Sequence, residues 1–131
     1  MTLREIANAY VELINAKRYD EVGEMWAEDG VLYAPQGYVF EGKTAVSGFY
    51  SSFKGQNIPP MREVSYAEDI AANVCTLELA TRMTRDDEGK WQSDPAADFS
   101  LASLDLFTAN ADGKVQKMIA YIAPPNRWLT S

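Results

Sequence analysis

The sequence predicts an α+β domain in which three N-terminal helices pack on a strongly curved antiparallel or mixed sheet. Three observations lead to this prediction. The chain has 131 residues, which suits one domain spanning residues 1–131. Apolar residues recur at helical spacing near the N-terminus and alternate with period two later on. Because the helices precede the strands, we expect them on one face of the sheet, closing a cone with an apolar pocket.

Three segments have helical character. Residues 2–5 have the spacing of a capping box, and apolar residues follow at helical intervals, which predicts a first helix over about 3–16. A short polar break separates it from a second predicted helix that begins at Tyr19 and ends near Gly30. The third predicted helix opens at 42–44 and ends before Gly55 and the Pro59-Pro60 pair.

The remaining segments have strand character. They are short apolar or alternating runs bounded by turn residues, and Pro95 interrupts the fourth of them early. A charged turn follows the third run, and Asp112-Gly113 marks the turn before the last. The predicted strands are 31–34, 62–67, 74–84, within 91–109, and 114–123.

Charge and composition exclude several classes of function. Twelve basic and 19 acidic residues give a net charge of −7, which disfavours nucleic acid and anionic membrane as partners. The chain has no histidine, so a Ser-His-Asp triad, a Cys-His dyad or a His-based zinc site cannot form. Any acid or base must be Asp, Glu, Tyr, Lys or the single cysteine, Cys75.

The single cysteine and the hydropathy pattern bear on the compartment. One cysteine excludes an intramolecular disulfide, which fits a reducing environment. Residues 1–5 carry no apolar signal core, and no apolar run approaches the ~20 residues of a bilayer span. We therefore expect a soluble, cytoplasmic protein.

Six segments carry a resemblance to a known superfamily: 9–14, 24–31, 40–46, 49–50, 104–107 and 111–121. Over about residues 3–125 the chain resembles the nuclear-transport-factor-2-like superfamily, in its ketosteroid isomerase and SnoaL-type polyketide cyclase branch. The resemblance implies a cone-shaped fold and a homodimer formed through the outer face of the sheet. Because this fold hosts many activities, it predicts chemistry less firmly than architecture.

The resemblance also implies a site. By position, Tyr10 and Asp105 match the Tyr and the protonated Asp that form the oxyanion hole of ketosteroid isomerases, and Tyr50 matches a supporting Tyr. Trp26 stands where the family has a third Tyr, and it can only donate. Ala34 stands where the family has its base Asp. Alanine cannot carry a proton, so a standard proton shuttle is not expected.

Strand alternation supports a buried position for Asp105 independently of the resemblance. Alternation places the carboxylate on one face with Phe99, Leu101, Ser103 and Phe107, and that face is largely apolar. A carboxylate there must be paired or kept neutral by a raised pKa. The alternative is the opposite parity, with Asp105 facing solvent or a dimer interface. For Tyr10, the alternative is a core aromatic with an arbitrary hydroxyl partner.

Further residues are expected around the ligand. Glu63 lies in a strand where some relatives place a second acid, and it is an alternative base; a strand carboxylate facing water is the alternative interpretation. For the residues expected to line the pocket, the alternative interpretation is that they only pack the core. The expected substrate-binding residues are Tyr33, Ala34, Phe49, Leu77, Leu79, Phe99, Leu101, Ser103, Phe107, Met118, Ala120 and Ile122.

Together these features predict an enzyme that isomerises, cyclises or eliminates within a small hydrophobic carbonyl, polyketide or terpenoid-like substrate. Tyr10 and Asp105 would hydrogen-bond an oxygen that gains negative charge. We expect no metal and no organic cofactor. Two alternatives remain: a non-catalytic binding protein for a small hydrophobic ligand, which Ala34 favours, and a protein-interaction domain of the nuclear transport factor type.

Overall fold

The computed structural model describes residues 1–88 and 91–122, without the side chains at 85, 91 and 99–102. Within these ranges, short 3₁₀ turns follow the second helix and the first strand. The helices are α1 (Leu3–Asn15), α2 (Tyr19–Val22) and α3 (Lys43–Ser51). The strands are β1 (Trp26–Tyr33), β2 (Val39–Glu41), β3 (Arg62–Asp69), β4 (Val74–Arg85), β5 (Trp91–Ser93), β6 (Phe99–Ala109) and β7 (Val115–Ile122).

The sheet is mixed and strongly curled, as predicted. Its strand order is β2-β1-β7-β6-β4-β3, and β5 pairs with the far end of β4. Only the β1–β7 pair among these is parallel. The three helices and the curled sheet form a half-barrel, which confirms the α+β cone. None of the helices in the described ranges is long and apolar enough to cross a membrane.

Helix α1 begins and packs as its sequence predicts. The Thr2 side chain accepts a hydrogen bond from the Glu5 backbone N–H, and the Glu5 carboxylate accepts one from the Thr2 backbone. This capping box satisfies two donors that the helix leaves open. The apolar stripe of α1, including Ile6, Tyr10 and Ile14, is buried. Each such large side chain contributes about 1.5–3 kcal/mol on burial, which anchors α1 in the half-barrel.

The second helix is much shorter than predicted. Helix α2 ends at Val22, and after one 3₁₀ turn the chain enters β1 at Trp26. Gly30 is therefore not a helix end. A Cβ at position 30 would lie 2.8 Å from Cδ1 of Trp26 and 2.7 Å from the carbonyl oxygen of Val115. The glycine thus allows the indole and β7 to approach the β1 backbone closely.

Two other parts of the sheet differ from the prediction. The three-residue strand β2, which pairs with the end of β1, was not predicted because so short a run carries no periodicity. The predicted strand within 91–109 is divided into β5 and β6 on either side of Pro95. Along β4, alternate residues Cys75, Leu77 and Leu79 are buried, and a register shift after Leu79 brings both Ala80 and Thr81 into the core. These residues and the helices enclose the core.

Candidate functional site

Asp105 lies in the middle of β6 with its side chain in the core. Only 3% of the residue is exposed, whereas Leu104 beside it faces outward. In register, Asp105 stands between Leu77 of β4 and Ala120 of β7, so its neighbours on the inner face are apolar. The parity predicted from strand alternation is confirmed at this position, and the solvent-facing alternative is wrong.

Burial changes the acid strength of this carboxyl group. Loss of water around the charged form raises the pKa of Asp105 to about 7, although a hydrogen bond with the Ser103 hydroxyl opposes the rise. Near neutral pH a substantial fraction of the group is therefore protonated. A neutral carboxylic acid has one O–H to donate, which a carboxylate lacks.

Tyr10 projects from α1 toward the same part of the core. Its hydroxyl lies 2.9 Å from the hydroxyl of Tyr50, and its ring meets Phe107 edge-on with centroids 5.3 Å apart. Burial raises the pKa values of both Tyr10 and Tyr50, and the charge of Asp105 raises them further. The two hydroxyls and the carboxyl group therefore act on one another electrostatically.

Tyr50 joins α3 to this group. Its hydroxyl donates to Sδ of Met118 over 3.5 Å as well as meeting the Tyr10 hydroxyl. The Trp26 ring lies 5.7 Å from the Tyr50 ring, but its indole N–H donates to the carbonyl of Val31 over 3.3 Å. The structure thus gives Trp26 a packing contact with Tyr50 and directs its hydrogen bond elsewhere.

Ala34 follows the last residue of β1 and packs half-buried against the core. Its backbone N–H donates to the carbonyl of Tyr38 over 2.8 Å. Leu32 pairs with Met118 and Tyr33 with Ile119 in the parallel β1–β7 register, and these are the last pairs before Ala34. Continuing this register by one residue would set Ala34 beside Ala120, which pairs with Asp105, with about 10 Å between the Cα atoms of Ala34 and Asp105.

The other expected lining residues fall into four groups. Leu77, Leu79, Phe107 and Met118 are fully buried on the inner face, and Phe49, Ser103 and Ala120 are half-buried. Ile122, at the end of β7, is 64% exposed. Tyr33 alternates with buried Leu32 and is 42% exposed, so it lies on the outer face and does not share the inner face with Ala34. The side chains of Phe99 and Leu101 lie outside the described residues.

Glu63, the alternative base, is held in an ion pair with Arg4. Arg4 holds both of its carboxylate oxygens, with Nη1 of Arg4 2.9 Å from Oε1 and Nη2 3.0 Å from Oε2. The Arg4 guanidinium also lies 4.3 Å above the ring of Tyr66. Cys75 is a buried thiol whose pKa burial raises to about 11, which leaves it without nucleophilic character at neutral pH.

A family model described as the SnoaL-like domain matches residues 7–118. The chain belongs to the SnoaL-like domain family. No curated protein matches the sequence.

Solved structures share the fold of this SnoaL-like chain. One is the epoxide hydrolase/cyclase-like enzyme SalBIII of pyran ring formation in salinomycin, with TM-score 0.68 and 20% identity over 92% of this chain and 89% of that one. Another is RV0760c from Mycobacterium tuberculosis in complex with estradiol-17β-hemisuccinate, with TM-score 0.66 and 15% identity over 90% and 91%. A protein from Sphaerobacter thermophilus has TM-score 0.64 and 18% identity over 95% and 98%. At these identities the likeness shows the fold.

One residue that contacts the Tyr10–Tyr50 hydroxyl pair was not predicted as a hydrogen-bond partner from the sequence. Met118 was expected only as a wall residue, yet its sulfur accepts the Tyr50 hydrogen bond. Its place on the inner face of the last strand, in register with Phe107 and Leu32, is visible in the alternation of that strand. In the part of the chain that the structure describes, no three Cys, Asp or Glu side chains are grouped so as to hold a metal.

Proposed function

We propose that this SnoaL-like protein is an isomerase or cyclase for a small hydrophobic carbonyl, polyketide or terpenoid-like substrate. Tyr10 and Asp105 hydrogen-bond one substrate oxygen as it gains negative charge. The observation that carries the proposal is Asp105 itself: it is 3% exposed among apolar side chains, its pKa is raised to about 7, and it influences the Tyr10–Tyr50 hydroxyl pair.

The chemistry follows from these properties. Neutral Asp105 and Tyr10 each offer one proton to the substrate oxygen, and Tyr50 supports Tyr10 through the 2.9 Å contact. Because the donors are fixed in a site with little water, they stabilise developing charge without reorganising. Losing one such donor typically costs a factor of 10²–10³ in rate. A carboxylate at position 105 would instead repel the developing charge, so activity should decline as Asp105 ionises.

The missing base limits the reaction type. At Ala34 the chain offers no proton acceptor, so any proton removed from the substrate goes to water, to a substrate group or to another carboxylate. Ring closure or elimination, in which the substrate supplies its own nucleophile or leaving group, fits such a site better than a proton shuttle. The cyclase-like description of SalBIII and the steroid ester bound to RV0760c support a cyclisation on a small apolar molecule.

The test is binding of 2-naphthol, an apolar phenol whose oxygen resembles the developing oxyanion, followed by fluorescence. Tyr10→Phe and Asp105→Asn should each weaken binding about 10-fold or more, the value of a hydrogen bond to a charged group. Asp112→Asn, in the exposed turn before β7, is the matched control and should bind as the wild type does. Unchanged affinity in both site variants contradicts the proposal. Turnover of polyketide-like ketones then tests catalysis.

Ala34 favours a second candidate, a non-catalytic protein that binds the same class of ligand. This candidate predicts tight 2-naphthol binding that depends on Tyr10 and Asp105, with no turnover of any ketone that binds. An interaction domain of the nuclear transport type predicts neither, because such a domain has no use for a buried carboxyl group.

We also propose that two copies pair through the outer face of the sheet. Leu104 and Tyr121 form a register pair between β6 and β7 and are 37% and 50% exposed. Half-exposed Leu106 and Ile119 form the next pair along the strands. Covering these side chains would remove a contiguous apolar surface from water.

A further inference from the structure

The Tyr50 hydroxyl has two neighbours that can accept its hydrogen bond and only one proton to give. The Tyr10 oxygen lies 2.9 Å away and Sδ of Met118 lies 3.5 Å away. If Tyr50 donates to Met118, then Tyr10 must be the donor between the two hydroxyls. If Tyr50 donates to Tyr10, the proton of Tyr10 is released for another acceptor and the sulfur receives none.

We propose that Met118 is a positioning residue that sets the direction of this hydroxyl chain. In the structure the chain runs from Tyr10 to Tyr50 to the Met118 sulfur. When a ligand oxygen arrives, the chain reverses, so that Tyr50 donates to Tyr10 and Tyr10 donates to the ligand. This inference rests on the proposed function of Tyr10 as a donor to the substrate oxygen.

Two features of the surroundings of Tyr50 favour Met118 as the acceptor of its proton. Tyr50 and Met118 are both 1% exposed, so bulk water does not compete for the proton. The Trp26 N–H, at the position where the resemblance places a third hydroxyl, donates to the carbonyl of Val31. A thioether is a weak acceptor, so the bond given up when the chain reverses costs little. In the arrangement that the structure shows, both hydroxyl protons have an acceptor.

The register of Met118 fixes the sulfur in place. Met118 pairs with Leu32 on one side and with Phe107 on the other, and the ring of Phe107 contacts that of Tyr10. A leucine at 118 keeps nearly the same volume and apolar character but removes the acceptor. Met118→Leu therefore separates the hydrogen bond from the packing.

The experiment measures 2-naphthol affinity in Met118→Leu, with Met25→Leu as the matched control at another buried methionine. Without the sulfur, binding no longer breaks a Tyr50 hydrogen bond, so Met118→Leu should bind about two- to tenfold more tightly. Met25→Leu should not change the affinity. Equal or weaker binding by Met118→Leu overturns the inference.

A double-mutant cycle distinguishes this role from packing. In a Tyr50→Phe background there is no proton to redirect, so adding Met118→Leu should leave the affinity unchanged. A similar gain in both backgrounds would assign the effect to packing and overturn the inference.

A measurement without ligand separates this inference from the proposed function. In the free protein, NMR should show a nuclear Overhauser effect between the Tyr50 hydroxyl proton and the Met118 methyl group, and saturation with 2-naphthol should abolish it. If that proton instead faces Tyr10 in the free protein, the role of Met118 is wrong, while weaker binding by Tyr10→Phe and Asp105→Asn still upholds the oxyanion site. If those two variants bind normally, the site itself is wrong.

Discussion

In the proposed site, replacing Ala34 with aspartate should supply a proton carrier. Continuing the β1–β7 register by one residue would set Ala34 beside Ala120, and Ala120 pairs with Asp105, so a carboxylate at 34 would lie two strand spacings from Asp105, about 10 Å between Cα atoms. A substrate ring placed over Ala120 would then lie between the base and the donors. The half-buried position of Ala34 gives the new carboxylate access to both the ligand and water.

The size of the gain follows from general base catalysis. A positioned base contributes 10²–10⁴-fold, which is about 3–5 kcal/mol of the activation barrier. The new charge also disfavours ionisation of Asp105, because like charges in one site raise the pKa of the weaker acid. Both effects favour a neutral donor at 105 and a charged base at 34, which is the arrangement a proton shuttle needs.

The assay is conversion of a Δ5-3-ketosteroid to its conjugated isomer, followed by ultraviolet absorbance. Wild type should be slow, Ala34→Asp should gain at least about 100-fold in kcat, and Ala34→Asn, which has the same shape without the base, should not gain. Binding of the conjugated product to each variant shows that the pocket admits a steroid. Strong wild-type turnover would mean that another residue is the base. An Ala34→Asp protein that binds the steroid without a gain would refute a site built around Tyr10 and Asp105.

Three further predictions concern stability and assembly. Folding raises the pKa of Asp105 from 3.8 to about 7, so between these two pH values the folded state holds a proton that the unfolded state has lost. The free energy of unfolding should therefore fall by up to about 4 kcal/mol between pH 4 and pH 8, as measured by urea unfolding, and Asp105→Asn should remove this fall. The same pH dependence in wild type and Asp105→Asn would place the carboxyl group in water. Tyr50→Phe should lose about 1 kcal/mol of stability and weaken 2-naphthol binding, since Tyr10 loses its partner; affinity equal to wild type would show that Tyr10 needs no support. Leu104→Glu should give a monomer in analytical ultracentrifugation where wild type sediments as a dimer, and a monomeric wild type would exclude pairing through this face.

Much of the fold is predictable because long segments have one clear period. The α1 stripe and the alternation at 75–79 of β4 and 103–109 of β6 each repeat over several turns or residue pairs, and their inward residues are buried or half-buried, whereas Ile122 at the end of β7 is exposed. The position of Asp105 is predictable for the same reason, since a residue in an alternating strand faces either the core or the solvent. The register of the strand then decides whether its carboxyl group is buried or exposed.

The misplaced boundary between α2 and β1 has a tertiary cause. The spacing of Tyr19, Val22, Met25 and Trp26 fits a helix, and local sequence alone offers no reason to stop it. In the structure the chain instead enters β1 at Trp26, which pairs with Val115 of β7, a contact between segments far apart in the chain. Propensity is a weak guide where such packing competes with it.

The hydrogen-bond partners in the site are even less accessible to sequence reasoning. The Tyr10 and Tyr50 hydroxyls are 40 residues apart, and Tyr50 and Met118 are 68 apart. No spacing rule connects such positions. The resemblance places Tyr10, Tyr50 and Asp105 near one another, but the redirected bond of Trp26 and the sulfur acceptor emerge only from the packed structure.

The most direct test is a carbon-13 NMR titration of the Asp105 carboxyl group, with and without 2-naphthol. The proposed oxyanion site predicts a midpoint near pH 7 in the free protein, because burial disfavours the charge. Bound 2-naphthol should shift the midpoint upward, since the protonated form donates to the ligand oxygen. An ordinary midpoint near pH 4, unchanged by the ligand, would contradict a neutral donor at this position.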